Sequence, residues 1–139
     1  MGESGPVTAV RSAVTALNDG DVEGYLSHFH PDGKRWAVGL AQPLALTDIR
    51  ESLHQLHAAF EELRLREDLL FSDSRFVCAR WRLQGVHVND YLGFAPKRKS
   101  IDFQTCEVYE VEDELVVTTW VYGDHGQLFR QIGAAGGED

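Results

Sequence analysis

Thr118-Thr119-Trp120-Val121-Tyr122-Gly123-Asp124-His125-Gly126-Gln127-Leu128-Phe129-Arg130-Gln131-Ile132-Gly133 is the stretch that decides how the chain is read. Its first five residues are β-branched or aromatic, which suits a pleated, half-buried ribbon, and Gly123 ends the run. Side chains alternate between faces, so Thr118, Trp120, Tyr122 and Asp124 are expected on one side. A carboxylate that continues an aromatic row loses hydration; its pKa rises and it becomes a usable acid or base near neutrality. The same spacing also fits a solvated Asp in a Gly-Asp-His-Gly turn, where Gly and Asp occur for backbone reasons.

Upstream of this ribbon the hydrophobic period is two from Leu65 onward. Strands are expected over 63–71, 75–88, 100–111 and 114–122, with Glu112-Asp113-Glu114 as a tight hairpin connection. The first third of the chain has a helical period instead. Val7, Val10, Val14 and Leu17 predict a helix over 6–18, and Asp21 caps a shorter one carrying Val22, Tyr25, Leu26 and Phe29. His30-Pro31-Asp32-Gly33 stops it, and a short strand with Trp36 follows. Thr47-Asp48-Ile49-Arg50-Glu51 opens a third helix, whose face is Ile49, Leu53, Leu56, Phe60 and Leu63. Helices first and strands after give an α+β fold: a curved antiparallel sheet wrapped over N-terminal helices, a cone with an apolar interior suited to a small molecule.

The 139 residues make one domain, 1–139, with an ordered core of about 7–133. A formal net charge of −9 argues against nucleic acid and against anionic membrane surfaces. No apolar run reaches membrane-spanning length, and the N-terminus has no signal region, so a cytoplasmic location is expected. Cys78 and Cys106 read as buried structural thiols rather than a disulfide framework.

Trp120, three residues, Asp124, one residue, Gly126, then Gln131-Ile132-Gly133 resembles the C-terminal strand of SnoaL-like polyketide cyclases, members of the nuclear transport factor 2-like superfamily (the cystatin-like α+β roll). The two helices, the His28-Phe29-His30-Pro31-Asp32-Gly33 run and the strand with Trp36 resemble the superfamily's opening. The resemblance implies a pocket closed by those helices and lined by aromatics. It also implies an aromatic polyketide as substrate and ring closure by intramolecular aldol condensation, with Asp124 as general acid/base and no cofactor. Gly85-Val86-His87 matches a similar family element, which makes His87 a candidate donor to a substrate carbonyl or oxyanion. Trp36, Trp120, Tyr122 and Tyr25 are expected to pack against a planar ligand, and Gln104 to orient a polar group on it. Two departures stand out: Pro96-Lys97-Arg98-Lys99 replaces the family's usual loop, and Glu112-Asp113-Glu114 lacks the family's hairpin Gly, so a different turn type is expected.

Other chemistries are disfavoured. His54 with His57 and His28 with His30 lack zinc-site spacing, so no metal is expected. No nucleotide loop or nucleophile elbow is present. On the same fold, a cofactor-independent hydroxylase, a dehydratase or isomerase, and a non-catalytic ligand-binding module remain open. A homodimer or homotetramer is expected, with the outer sheet face covered by another copy.

Overall fold

The computed structural model describes residues 4–124 and 126–133, so the expectations for the C-terminal tail and for His125 lie outside the described residues. Its elements run α1 (Gly5–Asn18), α2 (Val22–Leu26), β1 (Phe29–Ala37), α3 (Leu46–Ala59), β2 (Phe60–Asp73), β3 (Phe76–His87), β4 (Ser100–Glu112), β5 (Leu115–Tyr122) and α4 (Gly126–Gln131). The α+β architecture predicted from the periodicity is the one observed.

Helix starts follow from side-chain caps. Ser4 Oγ accepts the Val7 N–H at 3.2 Å, and Asp21 Oδ1 accepts the Gly24 N–H at 2.8 Å. Helix α2 is shorter than its spacing suggested. Phe29 opens β1 instead, because Pro31 cannot continue a helix and disfavours helical backbone before it. Helix α3 begins at Leu46, where the Asp48 carboxylate accepts the Ala45 N–H at 3.1 Å, and it gives way to β2 at Phe60 rather than after Leu63.

The five strands form one sheet in the order β1-β5-β4-β3-β2. Strands β2 to β5 are antiparallel neighbours, as expected, whereas β1 lies parallel to β5. No hairpin joins β1 to β5; α3 and three strands intervene, so their directions are free to agree. Register shifts in β2 at Glu61/Arg64 and Glu67/Leu69 bend it, with Glu62 at φ 54° in the first. At the β4–β5 hairpin, Asp113 and Glu114 have φ 51° and 66°. Both central residues are left-handed, as in a type I′ turn, and two acidic residues bear the cost of that backbone.

Helices α1–α3 pack on the concave face around Val10, Val14, Ile49, Val77, Trp81 and Val116. Helix α4 was not foreseen. It brings Leu128 and Ile132, four residues apart, onto Phe60, Ile101 and Phe103. The outer face carries a second apolar row. The register places Trp36, Trp120, Val108, Cys78 and Phe71 side by side across all five strands. Cys78 and Cys106 are free, half-buried thiols there, their sulfurs 3.8 Å apart. Among the described residues no helix is long and apolar enough to cross a membrane.

Candidate functional site

A cavity of about 260 Å³ opens between the helices and the concave side of the sheet. Its lining is mostly aliphatic and aromatic, with Leu17 from α1, Leu53 and Leu56 from α3, Leu65 from β2, Leu83 from β3, Phe103 from β4 and Leu128 from α4. Polar side chains interrupt this surface: Tyr25 of α2, Arg35 of β1, Ser52 of α3, Tyr91 between β3 and β4, and Thr105 and Glu107 of β4.

Strand alternation explains how these side chains meet. On β4 the inward row is Ile101, Phe103, Thr105, Glu107, Tyr109 and Val111; on β1 it includes Gly33, Arg35 and Ala37. Arg35 Nη2 donates to Glu107 Oε2 at 3.1 Å and to the Tyr25 hydroxyl at 3.3 Å. Both members of the ion pair are largely buried, with side-chain exposures of 16% and 8%. Behind them Trp81 Nε1 donates to the Tyr109 hydroxyl at 2.9 Å. Burial, reinforced by the Glu107 charge and opposed by Arg35, pushes the Tyr25 phenol up to about 12. Tyr109 is driven well above its ordinary value by burial first and by Glu107 second. Both phenols are therefore neutral at physiological pH.

Hydrogen bonding in this group is incomplete. Among the described residues Arg35 Nε, Glu107 Oε1 and Thr119 Oγ1 are buried without a partner. Buried polar atoms without partners are costly. Chemically the group offers a guanidinium donor to hold and polarise a carbonyl, and a carboxylate that can accept a proton.

The sequence-predicted residues are distributed differently from expectation. Tyr25 lines the cavity as expected. Asp124 does not: its side chain is 60% exposed, accepts the Gly126 N–H at 2.9 Å and pairs with Arg130 Nη2 at 3.0 Å. The cause is strand parity. Thr119 and Val121 are the inward residues of β5, so Trp120 and Tyr122 face outward, and the chain has left the strand by Asp124. Tyr122 is 51% exposed and Trp36 is 37% exposed, with Trp36 beside Trp120 on the outer face. Gln104 also lies outside, donating to Asp68 Oδ2 at 3.2 Å, while Phe103 takes the inward position. His87 points inward but is fully buried against Phe60, ring centroids 4.9 Å apart, and is not part of the lining. Arg35 and Glu107 were missed. Their signal was a single charge inside an otherwise apolar alternating row on each strand. Among the described residues no group of three or more His, Cys, Asp or Glu could hold a metal ion.

Comparison with known proteins bears on the whole arrangement. Among solved structures, AclR from Streptomyces galilaeus, provisionally described as a hydroxylase, superposes with a TM-score of 0.84 at 20% identity, covering 92% of this chain and 95% of AclR. IdmH from Streptomyces antibioticus, provisionally described as a polyketide cyclase, gives 0.82 at 18% identity, covering 92% and 98%. TerC, crystallised with polyporic acid, gives 0.73 at 18% identity, covering 93% and 98%. These likenesses establish the nuclear transport factor 2-like fold. No curated protein matches the sequence significantly. The family model for SnoaL-like polyketide cyclases matches residues 7–132, nearly the whole chain, and the chain belongs to that family.

Proposed function

We propose that the protein catalyses proton transfer on a small carbonyl compound of polyketide type, closing a ring by intramolecular aldol condensation without a cofactor, and that Glu107 carries the proton. One observation supports Glu107 above others: it is the only acidic side chain among the described residues lining the cavity. In the proposed reaction its carboxylate removes a proton from the carbon beside a carbonyl. The enolate carbon then attacks a second carbonyl of the same molecule, forming the C–C bond, and protonated Glu107 returns the proton to the new alkoxide. The Arg35 guanidinium steadies the enolate oxygen. The apolar lining folds the chain of the substrate into reach, which in favourable intramolecular cases is worth of order 7–11 kcal/mol of barrier.

A direct test follows the carbon acid itself. With 1-tetralone in deuterated buffer, the protein is expected to accelerate exchange at the carbon beside the carbonyl, read by NMR. Glu107→Gln should slow that exchange by roughly 100-fold or more, the usual weight of a positioned acid or base. Wild-type protein without any acceleration would sink the proposal.

A second reading gives the proton to Asp124, as the family motif implies. It is favoured by the position of Asp124 in the segment between Val121 and Leu128, both of which line the cavity. Under this reading Asp124 would leave Arg130 when substrate binds. Asp124→Asn decides: near wild-type exchange keeps Glu107 as the carrier, whereas loss of exchange in this variant alone transfers the role.

We also propose that the outer sheet face contacts a second copy of the chain. The row Trp36, Trp120, Val108, Cys78 and Phe71 is continuous and apolar, and Phe71, at 56% exposed, completes it on β2. An exposed apolar row of this kind can meet the same row of a second copy across a two-fold axis.

A further inference from the structure

The inward row of β4 measures the cavity lengthwise. Phe103 lines one end, Thr105 the middle and Glu107 the other end, beside Tyr25 and Arg35. Phe103 and Glu107 are thus roughly 13 Å apart along the strand. Tyr91 lines the cavity at the Phe103 end. Its ring meets Phe60 edge-on, centroids 5.4 Å apart, in the cluster that holds Ile101, Phe103 and Leu128. Among the described residues the lining carries the hydroxyls of Tyr25, Ser52, Tyr91 and Thr105. The Tyr25 hydroxyl accepts from Arg35, Thr105 Oγ1 donates to the Tyr122 carbonyl at 3.5 Å, and Ser52 is exposed on α3. Tyr91 differs from all three. It is half-buried, and burial alone raises its phenol, with neither a charge nor a hydrogen bond contributing. The backbone also fixes its aim. The Tyr91 N–H donates to the Phe94 carbonyl at 3.0 Å and the Phe94 N–H to the Tyr91 carbonyl at 2.9 Å, closing a two-residue turn with Leu92 at φ 50° and Gly93 at φ 88°. Leu92 is a non-glycine residue in left-handed backbone, a cost met most often where function requires the geometry. Phe94 packs on Phe129 of α4, centroids 5.4 Å apart, so the turn is anchored on both sides.

We infer that Tyr91 is a second polar pole of the cavity: its hydroxyl bonds an oxygen at the end of the ligand remote from Glu107, so the ligand is an elongated molecule with an oxygen at each end. This rests on the cavity being the functional site, and it narrows the substrate class from carbonyl compounds in general to those oxygenated at both ends. Tyr91 is a positioning residue that sets which way the substrate lies, and it takes no part in the proton transfer. A phenol both donates and accepts, so a hydroxyl on the ligand can meet it in either sense. Two fused six-membered rings, with a hydrogen bond of about 2.8 Å beyond the oxygen at each end, cover a span of about 13 Å.

The experiment is a calorimetric titration of the full chain with three two-ring probes: 6-hydroxy-1-tetralone, with its oxygens at opposite ends, 8-hydroxy-1-tetralone, with both at one end, and 1-tetralone. The wild-type protein is expected to bind the first about fivefold or more tightly than either of the others, the worth of one neutral hydrogen bond. Tyr91→Phe keeps the ring and its contact with Phe60 and removes only the hydroxyl. It should bind 6-hydroxy-1-tetralone and 1-tetralone alike, with 1-tetralone at wild-type strength, whereas Ser52→Ala should keep the preference. Three results overturn the inference: a wild-type protein without the preference, including one that binds none of the probes; a preference that survives in Tyr91→Phe; or a Tyr91→Phe variant that binds all three probes equally more weakly, which would make Tyr91 part of the wall alone. The exchange of 1-tetralone separates this result from the catalytic proposal. Exchange without the preference sinks the second pole only, whereas the preference without exchange sinks the proton transfer only.

Discussion

Arg35 on β1 meets Glu107 on β4 across the intervening strand β5, Nη2 to Oε2 at 3.1 Å. The two strands are next-nearest neighbours, roughly 10 Å apart at the usual sheet spacing, so only long side chains can bridge them. Removing one partner leaves an unpaired buried charge. Glu107→Leu or Arg35→Met alone is expected to cost about 3–5 kcal/mol, while the double substitution costs less than either single one, since no stranded charge remains. Urea denaturation of the four proteins checks this, and a double variant at least as unstable as the worse single one would contradict it.

The same burial sets an alkaline limit. Tyr25 titrates at about 12 in the folded chain, against an ordinary 10.0, because burial disfavours its phenolate. A phenol whose folded pKa is raised favours the folded state in its protonated form. Its contribution is fully present below pH 10 and is lost as pH rises through about 12. Tyr109 shifts in the same direction. Urea midpoints measured from neutral pH upward should therefore fall steeply above pH 10, and Tyr25→Phe should flatten part of that fall. A midpoint that stays level across the window would show that neither phenol is coupled to folding.

Much of this architecture could be read from the residues, because long periodic segments dominate it. Val7, Val10 and Val14 announce α1, and the period of two from Leu65 announces the sheet. Parity was harder to read. On β5 both faces carry residues that favour strands, so Trp120 and Tyr122 looked inward-facing when Thr119 and Val121 hold that side. Aromatic size suggested burial in the cone, but the outer face is apolar as well. Asp124 followed the same mistaken parity, and its place in a capping turn was the plainer reading of Gly123-Asp124-His125-Gly126. Glu107 was legible in principle, as the one charge in the row Ile101, Phe103, Thr105, Tyr109, Val111. Pairing it with Arg35 needed the position of β1 beside β5, which no local pattern encodes.

The outer row gives a prediction about assembly. Trp36 and Phe71 mark its two ends, on β1 and β2, which are the edges of the sheet. Trp36→Glu combined with Phe71→Glu places like charges at both ends without touching the core. Sedimentation should find a dimer or larger assembly for the wild-type chain and a monomer for this variant, with unchanged circular dichroism. A wild-type chain that sediments as a monomer would remove the second copy from the proposal.

Asn18 provides the last test, at the end of α1. Its Nδ2 donates to the Leu65 carbonyl at 3.0 Å, and its Oδ1 accepts the Leu65 N–H at 2.7 Å. The side-chain amide thus copies a neighbouring strand for one residue on the free edge of β2, whose other edge pairs Leu65 with Leu83 of β3. Leu65 lines the cavity, so this clamp also sets the position of one wall. Asn18→Ala leaves a backbone donor and acceptor unmatched in a half-buried place, and should cost about 1–3 kcal/mol. Asn18→Asp keeps the acceptor and loses the donor, so it should fall between the two. Hydrogen exchange at the Leu65 amide offers a local readout: protection should drop in Asn18→Ala and survive in Asn18→Asp. Equal protection in all three proteins would mean that Leu65 is held by its strand neighbours and that the amide clamp is dispensable.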